Sequence, residues 1–282
     1  MNETVVNMSF AIFMALVLFS VVVAARFVFG LVCRMEGYSL NDEIASKDNP
    51  AIGARFAFFL IAVVLSFSNI IHPSGISFYE DLSLIGKYST VVIAMLLVSR
   101  YVNDYLILSG FDNNKEVVGE KNVAVALVEG ATYVGTAFII SGALAGWQGG
   151  YLVSFCWFIL GQAFFILLAW VYRRFVPDTF NALDTHNHAC ALSLGGLLLS
   201  GGYALGKAVS GQFHSWSSDL PDVGLYILGW MIFMFIAALV ADKVMLPTTK
   251  LRDEVMRQRN IAAGAIEGAA FISTTLLYTL VV

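Results

Sequence analysis

Charge is what this sequence has least of. Asp, Glu, Lys and Arg make up 13% of its 282 residues, about half the share that ordinary soluble domains carry. With so few charges, and apolar residues gathered in long blocks, a soluble enzyme, a nucleic-acid-binding domain and a disordered chain are all excluded. Cysteine is nearly as scarce. Cys33, Cys156 and Cys190 are too far apart to form a disulfide framework and read as small apolar fillers. No Gly-rich phosphate loop, Walker motif, nucleophile elbow or His-Glu-x-x-His sequence occurs.

What the chain does have is apolar residues, 59% of the total, gathered in blocks of about 20. Eight blocks are present, over 6–33, 51–71, 86–109, 122–145, 151–172, 188–210, 224–246 and 260–282. None alternates with period two, and in lipid only helices or closed barrels satisfy their own backbone. The expected fold is therefore all-α: a polytopic membrane protein of eight transmembrane helices. The opening Met-Asn-Glu lacks a basic n-region and leads into an apolar run longer than a signal-peptide core, so the first span is expected to be retained.

Basic residues cluster in the loops after odd-numbered spans: Arg34, Lys47, Lys115, Lys121, Arg173, Arg174, Lys250, Arg252, Arg257 and Arg259. Near the opposite helix ends only Lys87 and Lys207 occur, with Asp219 and Asp222 among the acids there. Positive residues stay on the cytoplasmic side, which puts both termini outside. The cytoplasmic loops are then too short to house a catalytic domain. No enzymatic activity, cofactor or nucleic-acid partner is expected.

The chain also repeats itself. Residues 49–144 align without a gap on 187–282, an offset of 138. Identities are few and unevenly placed. Asn122-Val-Ala-Val-Ala-Leu-Val-Glu129-Gly-Ala131 returns as Asn260-Ile-Ala-Ala-Gly-Ala-Ile-Glu267-Gly-Ala269; Asp104 returns as Asp242, and Asn49-x-Ala51 as Asn187-x-Ala189. An even number of spans per unit gives both halves the same orientation. Two parallel-oriented four-helix repeats are expected, 1–145 and 146–282. The Asn-x-Ala-x-x-x-x-x-Gly opening of alternate helices resembles the YjfL-like bacterial inner-membrane family, a four-span domain of unknown function, here present in tandem. The resemblance implies a bacterial inner-membrane location. As a partner it implies a component of stress loci, such as a PspA-like membrane-remodelling protein or an ATP-grasp-like ligase. It brings no biochemical activity with it.

Function has to be read from the polar residues inside the membrane. Asn49, Asn122, Asn187 and Asn260 each open a span, where an Asn side chain caps orphan backbone N–H groups; helix N-termini also favour anions. Glu129 and Glu267 lie seven residues further on, about 10 Å into the span. Asp104 and Asp242 precede the cytoplasmic ends of spans three and seven by a similar depth. Burying carboxylates at this depth twice over is costly. Two readings follow: the acids lock helices together, or they form a site for protons or small cations, with Asp104 facing Glu129 and Asp242 facing Glu267. Arg100, one turn before Asp104, and Arg55 and Arg26 at similar depth are available as partners. Arg100 and Arg55 are not repeated, their counterparts being Ala238 and Ser193. Small-x-x-x-small pairs around each Glu, and five glycines in span six, suit close helix packing.

Asp184-x-His186-x-His188-x-Cys190 has metal-ligand residue types, but only His186 and Cys190 share helical spacing, so no metal site is expected. The leading expectation is a transport-type protein, a homo-oligomer in the bilayer, that uses the four acids. The rival is a non-transporting subunit that docks a cytoplasmic partner through 173–187 and 247–259. Cysteines introduced at 115 and 253 are expected to resist a membrane-impermeant thiol reagent applied outside intact cells, and labelling of either reverses the topology.

Overall fold

The computed structural model describes residues 3–69, 78–145, 150–244, 247 and 249–282. These form ten α-helices and, among the described residues, no strand. The helices are α1 (Glu3–Met35), α2 (Pro50–Leu65), α3 (Phe78–Val102), α4 (Val123–Ala145), α5 (Gly150–Phe175), α6 (Thr179–Asp184), α7 (His188–Ala208), α8 (Trp216–Val244), α9 (Leu251–Met256) and α10 (Ile261–Val281). Wider π-helical turns lie at Asp42–Ser46, Asn103–Ile107 and Lys115–Gly119.

Seven of these helices are long and apolar enough to cross a membrane: α1, α3 with its π turn, α4, α5, α7, α8 and α10. The expected eighth, α2, has 16 helical residues, about 24 Å of rise, short of the ~30 Å hydrocarbon core. Residues 70–71 and 245–246, the expected ends of spans two and seven, lie outside the described residues. Phe19, Leu31, Phe155, Leu225 and Phe235 all stand exposed on the long helices, as a lipid-facing surface requires.

Four helices make the spine. In order of packing they run α2, α4, α7, α10, with α1 and α3 against the first pair, α5 against α4 and α7, and α8 against α7 and α10. The repeat is visible in this order, because α2 meets α4 within the first unit as α7 meets α10 within the second. The α4–α7 contact then joins the units. Close approach rests on missing side chains. A Cβ on Gly142 would lie 2.0 Å from the Gly206 carbonyl oxygen, and one on Gly202 2.3 Å from the Gly135 Cα. Between α7 and α10, a Cβ on Gly196 would lie 2.4 Å from the Gly268 Cα. Lipid offers no hydrophobic drive for helices to associate, so dispersion across such contacts carries the packing.

A backbone-to-backbone contact has no side chain that can move aside. Gly202→Val is expected to lower the melting temperature and folded yield in detergent strongly, by the equivalent of at least about 1–3 kcal/mol of overpacking. Gly224→Val, where nothing lies within 4 Å of a Cβ, should stay close to the parent in the same thermal assay.

Candidate functional site

The N-terminal ends of the spine helices share one construction. A short helical turn is followed by one residue in the left-handed region, and then by an asparagine that starts the next helix. The left-handed residues are Asp48, Lys121, His186 and Arg259, none of them glycine. Each asparagine Oδ1 accepts from the backbone at its helix start. Asn49 serves Ala51 and Ile52, Asn122 serves Ala124 and Val125, Asn187 serves Cys190, and Asn260 serves Ala262 and Ala263. The amide side of the same residue reaches sideways. Asn49 Nδ2 donates to the Val117 carbonyl at 3.0 Å, Asn122 to Leu183 at 2.8 Å and Asn187 to Val255 at 3.0 Å. One side chain thus caps its own helix and ties it to the turn before the next.

Three of these modules add a glutamate six residues upstream. Glu43, Glu116 and Glu254 accept from Asn49, Asn122 and Asn260 at 2.8–3.0 Å. Burial opposes the charge on Glu43, but hydrogen bonds from Lys47 and Asn49 hold its carboxyl below the usual range. Sequence reading missed this network, although the Glu-x-x-x-x-x-Asn spacing, present three times in the sequence, could have revealed it. The fourth module lacks the acid, and its asparagine N–H bonds back to Ala182, five residues away, where the others span six.

The first repeat holds a compact charged cluster. Arg55, fully buried on α2, grips Glu129 of α4 through two parallel bonds, Nε to Oε2 at 2.5 Å and Nη2 to Oε1 at 2.6 Å. Its Nη1 donates to Asn114 at 3.1 Å. Arg100 of α3, 1% exposed, pairs with Glu36 and lies 3.9 Å from Asp104, with Tyr38 at 3.2 Å and Asn114 at 3.3 Å. Burial pushes the Tyr38 phenol up to about 12, against the opposing pull of Arg100. Asp104 accepts from Asn113 at 2.9 Å. Asp104 and Glu129 lie within electrostatic reach of each other but are not an isolated acid pair, because Arg55 grips Glu129 and Arg100 lies beside Asp104. Arg26 is elsewhere and donates to Asn41 at 2.7 Å. Several buried donors stay unmatched among the described residues: Arg100 Nε and Nη1, Asn103 Nδ2 and the Tyr133 hydroxyl.

The second repeat keeps the acids and drops the cations. Ser193 stands where Arg55 does and interacts with Glu267, which is half-buried on α10. The Tyr172 hydroxyl of α5 bonds Ser193 at 2.8 Å. Among the described residues no cation pairs with Glu267 or with Asp242. Asp242 instead accepts the Leu251 backbone N–H at 2.9 Å, the counterpart of Asn113 on Asp104. No group of three metal-ligating side chains is gathered among the described residues. Sequence reading missed Glu36, Asn113 and Asn114, which lie in or beside loops and carry no periodic signal, and also Tyr172, which belongs to a different span.

Against known families, one model matches the chain twice, over residues 2–144 and 146–282: the Domain of Unknown Function (DUF350). The chain belongs to this family. Its DUF350 unit occurs in tandem, which agrees with the resemblance drawn from the Asn-x-Ala openings. No curated protein and no solved structure matches the chain.

Removing one partner from a buried ion pair costs about 3–5 kcal/mol, because the other charge is stranded. Arg55→Met is therefore expected to destabilise the detergent-solubilised protein severely, and adding Glu129→Gln to restore much of the loss. A double variant no better than the single one in thermal unfolding would remove the pair from this role.

Proposed function

We propose that this multi-pass membrane protein carries protons or small cations, with Glu267 as the exchanging group and Asp242 on the same path. The observation that supports this is the contrast between the repeats. In the first, Arg55 and Arg100 neutralise the acids, which makes that unit a fixed brace. In the second, the equivalent carboxyl faces the hydroxyls of Ser193 and Tyr172 and no paired cation. A carboxyl so placed is neutral when protonated and charged when not, so it can take up a proton or a cation and release it. Serine and tyrosine hydroxyls both donate and accept, as a proton relay requires.

In this reading the chain lies in a bacterial inner membrane, both termini outside, with α2 as an eighth, shorter membrane helix. A second reading, in which the chain transports nothing and docks a cytoplasmic stress-response partner, is favoured by one feature. Arg174, Lys250, Arg252 and Arg257 are all exposed around α9 and the end of α5, a basic surface open to an acidic protein.

Purified protein in liposomes, screened for H⁺, K⁺, Na⁺ and Mg²⁺ flux, separates the two. The expected result is flux that Glu267→Gln abolishes and Glu129→Gln combined with Arg55→Met retains at least in part. Full flux in a folded Glu267→Gln protein, or none for any ion in the parent, would overturn the transport reading.

A further inference from the structure

The spine α2–α4–α7–α10 has two ends, and the two ends match. The tie from each asparagine to the next turn runs from Asn49 to Val117, from Asn122 to Leu183 and from Asn187 to Val255. These three asparagines are at most 2% exposed and the three accepting residues at most 1%. Asn260 builds the same cap on α10 and is exposed. Its amide donates to Glu254 and, among the described residues, to no neighbouring turn. At the other end, Ile44 holds the acceptor's place in the first turn. It follows Glu43 as Val117 follows Glu116 and Val255 follows Glu254, and it is 38% exposed. One donor and one acceptor are left over, at opposite ends of one row.

The helix faces agree. α4 and α10 are sequence equivalents, yet 83% of the α4 membrane window is buried and 22% of that of α10. The positions by which α4 meets α7 are Ala131, Gly135, Phe138 and Gly142. Their counterparts on α10, Ala269, Ser273, Leu276 and Leu280, are all exposed. On α7 the same contact uses Gly195, Gly202 and Gly206; the α2 counterparts of the first two, Ala57 and Val64, are exposed as well, while that of Gly206, Ser68, lies in the turn after α2 and bonds Ser141 of α4.

We propose that copies of this chain assemble head to tail, α10 of one against α2 of the next, by repeating the α4–α7 contact. Asn260 then caps across to Ile44 of the following copy. The occupant is a second copy because the open faces are complementary to each other through an interface the chain already makes internally. Such a contact is heterologous, so it yields a ring where the rotation closes and a filament where it does not. The replacement of Gly135, Gly202, Gly142 and Gly206 by Ser273, Val64, Leu280 and Ser68 widens the outer half. The tight part is therefore the cytoplasmic half, around Ala57, Ala269 and the Asn260 tie.

The internal contact sets the test. A Cβ on Gly195 would lie 3.2 Å from that of Ala131, close to the ~3.8 Å of a disulfide. Ala57→Cys with Ala269→Cys, in a background where Cys33, Cys156 and Cys190 are alanine, should give a ladder of covalent multimers on oxidation of native membranes. Either single variant alone should give none, and the two single variants co-expressed should stop at a dimer. Cross-linking by a single variant would mean a symmetric interface and overturn the proposal, as would a folded double variant that never cross-links. Ala269→Trp on the unmodified chain is an independent check, since that side chain is exposed in the monomer. Native mass measurement in nanodiscs should show several chains per particle for the parent and one for the variant. A monomeric parent, or a variant of unchanged mass, would overturn it equally.

Discussion

The asparagine at the head of each spine helix is the interaction on which the architecture depends. At a membrane surface a helix N-terminus exposes orphan N–H groups, and the next helix must start in register beside it. One carboxamide answers both needs, its oxygen capping its own helix and its amide holding the carbonyl of the neighbouring turn. Because the same residue does both, the start of α4 cannot shift relative to α2, nor α7 relative to α4. Once the starts are aligned, the glycines further along fall opposite one another, and the backbones close to contact. Asparagine is the natural choice, having a donor and an acceptor on one short, neutral side chain.

Between those aligned helices the two repeats differ in how their acids are held. In the first, the guanidinium of Arg55 completes a fully buried bidentate bond to Glu129, and Arg100 binds Glu36 beside Asp104. Breaking such a cluster strands charge in the protein interior, so it is a brace. In the second, Arg55 gives way to Ser193 and the brace is lost while the carboxyl remains.

Sequence by itself determined a good deal here. The length of the apolar runs fixed the helical class, since a backbone in lipid has few other solutions. The offset of 138 residues fixed the internal duplication, and the Asn-x-Ala openings marked the helix starts and pointed to the family. All of these are local or periodic signals. The distance of Glu129 and Glu267 from their helix starts was also legible, because rise per residue converts position into length.

Tertiary structure decided what each acid meets. Glu129 finds its partner 74 residues away on α2, and Asp104 finds Asn113 across a loop. Neither pairing has a period, and the absence of conserved cations in the second repeat pointed away from ion pairs that the first repeat makes. Whether α2 reaches the length of a span, which glycines touch backbone, and which end of the spine is left open also follow from packing. They depend on which faces meet, and a repeat in sequence is the same on both faces until one of them is covered.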